Sequence, residues 1–421
     1  EREFLLVENT DPRYWRADTI SFPTGPVYNM DIDDQNNAYV SLQGAGILRV
    51  NLDDVTNYEM YDTTNGNLSG SEGFPGGTPV YIVVHGIKLD RDGNLWITNA
   101  LAANGNVLNV LTKDGQWLHY NIYNSDEPTL NLWPRQIRID EQNRIWISTQ
   151  QHSEQPPSPG GIAVLDYGNS LMDKSDDQWY YVNTGNNLSG MDVQSMTITP
   201  SNRVFVITNG QQRVQSYRIP PTIQSDSDIR MTADNTEAFL TNFGVAEAYS
   251  DMRGNVWFTT NDNGIKLMQS NGVIYQQDGI YGYTTENSDL MSNTVLTMTS
   301  DPQSGTFYFA TDLGVSALAT QYAEPRPDFS DIYTFPSPYY VPNDVEMVIA
   351  ELPDEVEVKV MSLNGEVVRT LTPENGEVRN RQAFWDGRDA AGELVGSGVY
   401  FFYCYTQEGK TETTKALVIR K

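Results

Sequence analysis

Apolar positions along the chain come in short runs separated by turns rich in Gly, Asn, Asp and Pro, a pattern that predicts strands. Six segments are built alike: DDQNNAYVSLQ, DRDGNLWITNA, DEQNRIWISTQ, TPSNRVFVITN, DMRGNVWFTTN and DPQSGTFYFAT. Their aromatic anchors are Tyr39, Trp96, Trp146, Phe205, Trp257 and Tyr308, spaced by 57, 50, 59, 52 and 51 residues. That period suits a four-stranded propeller blade with a long loop and exceeds most helical repeats.

Three residues before each anchor stands Asn36, Gly93, Asn143, Asn202, Gly254 or Gly305. Only Gly and Asn readily take the left-handed backbone of a tight hairpin, so each motif predicts strand, turn, strand. Asp33, Asp90, Asp140 and Asp251 recur six before the anchor, where a carboxylate closes the turn by accepting backbone N–H groups. Apolar runs such as IKL at 87–89, IRI at 137–139 and MTI at 196–198 supply inner strands, and GIKLM at 264–268 a third strand. The last repeat offers only two strands after its inner one. Residues 15–22 therefore complete the final blade and close the ring, which removes exposed sheet edges. The count is six blades, or seven if residues 4–8 belong to a further incomplete one.

Around residues 323–330 the run QYAEPRPDFSD, with Pro325 and Pro327, reads as a short stiff linker. Beyond it, apolar runs at 345–350, 356–362, 367–371, 382–385, 399–405 and 416–419 predict a small sandwich. The expected fold is all-β: a propeller over 1–322 and an immunoglobulin-like β-sandwich over 331–421.

Charge narrows the partners. Lys and Arg total 27 against 55 Asp and Glu, a formal charge of −28, which opposes nucleic acid and anionic membrane surfaces. No apolar run reaches the roughly 18 residues of a membrane span. Cys404 is the only cysteine, so neither an internal disulfide nor a Cys-cluster metal site is available. The chain begins at Glu1 without a signal-peptide pattern and reads as a processed product or a fragment.

Asp251 to Met268 and Asp90 to Thr98 resemble the repeat of two-component-regulator propellers, with its Asp-x-x-Gly-x-Leu-Trp-Ile core. The end of the chain resembles the C-terminal sorting domain of the Bacteroidetes type IX secretion system, in the variant with a FlgD-like immunoglobulin fold. The carrying residues are FPSP, with Pro336 and Pro338; SLNGEVV, with Gly365; WDGRD, which begins at Trp385; GSGVY, with Gly398 and Tyr400; and the basic-ended strand from Lys415. A regulator-type propeller followed by such a domain resembles the PorZ-like surface components of that system. The resemblance implies an extracellular address at the outer-membrane surface, with the secretion machinery as partner through the C-terminal domain. Its alternatives are an exported cargo, such as an adhesin or surface-assembly subunit, and a propeller glycan lyase or hydrolase.

No catalytic constellation stands out, and no cofactor is called for. His85, His119 and His152 lack metal-binding spacing, and the Ser71 neighbourhood lacks a nucleophile elbow. Asp31, Asp33 and Asp34, and the Asp53-Asp54 pair, read as solvated turns. Candidate ligand residues are His85, Trp133 and Arg135, which precede or open inner strands and should share one pole of the channel. An exposed Trp133 ring there would suit a surface glycan or protein partner.

Overall fold

The computed structural model describes residues 26–65, 67–71, 80–120, 133–152, 158–301, 305–320, 329, 332–342, 346–353, 356–373, 375, 377–379, 382–406 and 409–420. The chain separates into two compact units, 1–298 with 310–315, and 299–309 with 316–421. The strand expected over 15–22 lies outside the described residues, as does the expected linker apart from Phe329.

The first unit is built from small antiparallel sheets in chain order. Val27–Ile32, Asn37–Leu42, Gly46–Asn51 and Tyr58–Tyr61 form the first blade. Ile87–Leu89, Leu95–Thr98, Leu108–Leu111 and Trp117–Tyr120 form the second, and Trp133–Ile139, Ile145–His152, Ser158–Asp166 and Gln178–Val182 the third. The fourth, Val193–Ile198, Arg203–Thr208 and Val214–Arg218, has three strands. There Pro220 and Pro221 cannot donate to a ladder, and a short helix, Asn235–Leu240, follows in place of an outer strand. Val245–Ser250, Val256–Thr260 and Ile265–Met268 form the fifth. A further three-stranded sheet, Val295–Asp301, Thr306–Thr311 and Gly314–Ala319, has residues in both units. The architecture is a β-propeller, and the six repeats are its sheets.

The repeat is legible in atoms. Asn36, Gly93, Asn143, Asn202, Gly254 and Gly305 all adopt positive φ, between 56° and 83°. Trp96, Trp146 and Trp257 are fully buried at equivalent positions. One oxygen of Asp90, Asp140 or Asp251 accepts the backbone N–H groups two and four residues on, at 2.8–3.0 Å. The other accepts the indole N–H of the anchor at 2.9 Å in all three blades. In the first blade Asp33 reaches the Tyr39 hydroxyl at 3.3 Å. In the fourth, Thr199 stands where Asp would and accepts Arg203 N–H at 3.2 Å. These carboxylates are saturated by N–H and O–H donors, which is the chemistry of a turn clamp.

Inner strands are tied together blade to blade. Asp31 accepts Leu89 N–H and Lys88 Nζ, both at 2.8 Å, so it is an inter-blade anchor and not part of a solvated turn. Gln136 accepts Met196 N–H, Ser195 and Thr197 accept Ala248 and Ser250 N–H, and Glu247 accepts Met298 N–H.

Beyond residue 332, nine strands among the described residues form two sheets. One runs Tyr333–Phe335, Met347–Ala350, Gln382–Trp385, Val378–Arg379. The other runs Tyr339–Val341, Thr411–Arg420, Gly398–Thr406, Val356–Met361, Val367–Leu371. Both sheets contribute to one core around the fully buried Trp385, which packs on Tyr339, Tyr400 and Phe402. This is a β-sandwich with the plug residue expected of it.

Candidate functional site

The inner strands of the first five blades explain why side chains gather at one pole. Each inner strand carries one residue too many near its start. Arg135 is extra between the pairs Pro134 with Thr149 and Gln136 with Ser148. Gln194 and Ala246 are extra in the fourth and fifth blades. Tyr28 lies in the same irregularity of the first blade, and His85 lies between the bridges Val83 with Ala100 and Ile87 with Ile97. All five stand eleven residues before their anchors. Such β-bulges bend a strand and re-aim a side chain. A repeat of the same bulge therefore presents one chosen residue per blade at the same mouth.

The bulge leaves a backbone N–H without a ladder partner, and a hydroxyl two residues after the anchor accepts it. Ser41 takes Asn29 N–H at 2.8 Å, Thr98 takes Gly86 N–H at 2.8 Å, Ser148 takes Gln136 N–H and Thr259 takes Glu247 N–H, both at 3.1 Å. These hydroxyl residues went unread in the sequence. Their signal was present as the third letter of YVS, WIT, WIS and WFT.

The bulge side chains of the first and second blades touch, and Trp133 of the third blade joins them. The Tyr28 ring meets the His85 ring edge to face at 4.6 Å between centroids. The Trp133 indole N–H donates to His85 Nδ1 at 3.2 Å, with the two rings nearly parallel at 4°. An indole nitrogen can only donate, so Nδ1 is the unprotonated nitrogen of a neutral imidazole. Burial, and then the nearby Arg135 charge, push the His85 pKa down to about 4, against a smaller upward pull from the Pro134 backbone. With its basic nitrogen already occupied, His85 is a positioned ring and a poor proton acceptor. Gly86 is required here, because a Cβ would stand 2.6 Å from the Arg135 carbonyl oxygen.

His85, Trp133 and Arg135 are thus brought together, although the Trp133 ring is half-buried and its N–H is spent on His85. The expected exposed glycan platform is instead an aromatic cluster seen partly edge-on. His119 sits on the outermost strand of its blade, bonded to Asn109 at 2.7 Å, and takes no part. His152 ends a strand of the third blade. Deeper along the inner strands, Arg138 faces Glu247, Tyr249 and Asp31; burial pushes its pKa down and those groups oppose the shift. Glu247 is held up by burial against Thr297, Arg138 and Met298.

In the sandwich, Trp385 donates to the Arg388 carbonyl at 2.8 Å and Tyr400 to the Gly396 carbonyl at 3.1 Å. Gly365 turns a hairpin at φ 82°, Gly398 opens a central strand, and Lys415 lies exposed on the last one. Pro336 and Pro338 follow cis peptide bonds beside the edge strand Tyr333–Phe335. Among the described residues no group of three or more His, Cys, Asp or Glu could hold a metal ion, and no helix is long and apolar enough to cross a membrane.

No family model and no curated protein matches the sequence. Solved structures do. PorZ, an essential bacterial surface component of the type IX secretion system of Porphyromonas gingivalis, is similar over 94% of this chain, with 18% identity and a TM-score of 0.54. The extracellular domain of a two-component system protein, BT3049 of B. thetaiotaomicron, is similar over 97%, with 13% identity and a TM-score of 0.50. The chain spans about half the length of each, 51% and 52%. At these identities the likeness is one of fold, and the fold is that of a β-propeller protein.

Proposed function

We propose that this protein is a non-enzymatic surface propeller of the type IX secretion pathway. On this reading the unit over 331–421 carries it across the outer membrane, and the propeller binds a protein or glycan partner at the bulge pole. The observation that supports binding is the convergence of Tyr28, His85 and Arg135, at homologous bulges of three successive blades, with Trp133 two residues before Arg135. A lyase or hydrolase would need a proton acceptor there, and the His85 lone pair is taken by Trp133.

The reading divides machinery from cargo by experiment. Deleting the gene should lower secretion of other type IX substrates. Re-expressing the chain with Tyr28→Ala and Trp133→Ala should restore surface display of the protein but not that secretion. Normal secretion in the deletion strain would make the protein cargo. Full rescue by the double variant would remove the pole from the function.

A further inference from the structure

From the pole just described, and resting on that reading of it, we infer that the bulge ring is a seat for a carboxylate and that its occupant is an acidic segment of a protein partner. Two guanidinium groups stand at this mouth from adjacent blades. Arg135 is the bulge residue of the third blade. Arg213 donates Nη2 to the side chain of Gln194, the bulge residue of the fourth, at 2.7 Å, and Nε to the Val245 carbonyl at 2.7 Å. Neither arginine forms an ion pair with a described carboxylate. Asp192, two residues before Gln194, pairs with neither of them.

That is notable in a chain where acids outnumber bases 55 to 27. A cation surrounded by such an excess usually finds a carboxylate, and one that pairs with no described carboxylate keeps its charge for an external anion. A planar guanidinium fits a carboxylate through two parallel N–H donors, and partial burial strengthens such bonds relative to water. Neutral His85 and Gln194, which flank Arg135 at the neighbouring bulges, bring no competing negative charge. A peptide is favoured over a sugar because the rings here are committed. Trp133 is half-buried against His85, and Tyr28, 48% exposed, is packed edge to face on His85 with its hydroxyl on Gln43, so neither ring is fully open for stacking.

The test uses the full chain and three probes of defined chemistry: an acetylated, amidated triglutamate peptide, its triglutamine counterpart, and a trigalacturonate. Fluorescence anisotropy at low salt should show binding of triglutamate, at least about tenfold weaker binding of triglutamine, and a loss of about tenfold or more in Arg135→Gln. Arg135→Lys should recover part of that loss, since the charge stays while the fork is gone. Circular dichroism of both variants should match the parent, because Arg135 bonds to no described residue. Equal binding of triglutamate and triglutamine, unchanged binding in Arg135→Gln, no binding of triglutamate, or binding of trigalacturonate alone would overturn the proposal. The secretion experiment with Tyr28→Ala and Trp133→Ala is independent of it. A secretion defect there, with no triglutamate binding, would sink the carboxylate seat and leave the pole in place.

Discussion

The Trp146 indole N–H donates to Asp140 Oδ2 at 2.9 Å, joining the anchor of a blade to the turn six residues before it. The same oxygen takes Arg144 Nε at 2.7 Å, and the side chains of both partners are almost wholly buried. One carboxylate thereby fixes the hairpin, orients the core tryptophan and neutralises a buried guanidinium. Asp140→Ala should cost about 3–5 kcal/mol, because it strands a buried charge and several donors. Urea unfolding checks this. Asp33→Ala, at a half-buried turn where the carboxylate holds the Gln35 and Asn37 N–H groups, the Asn37 amide and the Tyr39 hydroxyl but no buried cation, should cost clearly less.

Removing the hydroxyl behind a bulge leaves one buried N–H unpaired. Ser148→Ala should destabilise by about 1–3 kcal/mol and loosen the backbone that presents Arg135. Hydrogen exchange at Gln136 would report it: faster exchange than in the parent is expected, and unchanged protection would mean the bulge is held by other contacts.

Much of this was legible beforehand. The anchors, the Gly or Asn turns and the inner runs located every described blade, because strand and turn chemistry is local in sequence. Trp385 was readable as a core plug for the same reason. The pole was legible only as a neighbourhood. That His85, Arg135 and Gln194 occupy one repeated bulge depends on a single extra residue in each ladder, which leaves no mark on hydrophobic alternation. The role of Asp31 was misread because an acidic residue beside Asp33 and Asp34 looks like a turn. Only the neighbouring inner strand reveals Lys88 and the Leu89 N–H.

Lys266 lies buried, with Nζ donating to the Tyr281 carbonyl at 2.8 Å and also to the Asn263 carbonyl, over the Phe243 ring. Burial pushes its pKa down to about 8. The folded value lies below the unfolded one near 10.4, so between about pH 8 and 10.4 the unfolded chain holds more protons. Stability from this group then rises with pH through that window and is lost as pH falls towards 8. Lys266→Met should abolish this slope and leave the protein at least as stable at pH 7. The check is the difference in urea midpoint between parent and variant at pH 7.5 and 10. A constant difference would contradict the assignment.

His85 has its folded pKa lowered, so its contribution to stability is present above about pH 6.5 and is lost as pH falls towards about 4. Its imidazole should stay neutral from pH 5 to 8. Ring-proton NMR shifts that move across that range would contradict the Trp133 to His85 bond.

The central claim is one of address, and a fusion tests it most directly. Residues 325–421 joined to a periplasmic reporter should carry that reporter to the surface of a type IX-competent cell and fail to do so when the secretion system is absent. A reporter that stays in the periplasm of the competent cell, or that is exported equally well without the system, would contradict the account.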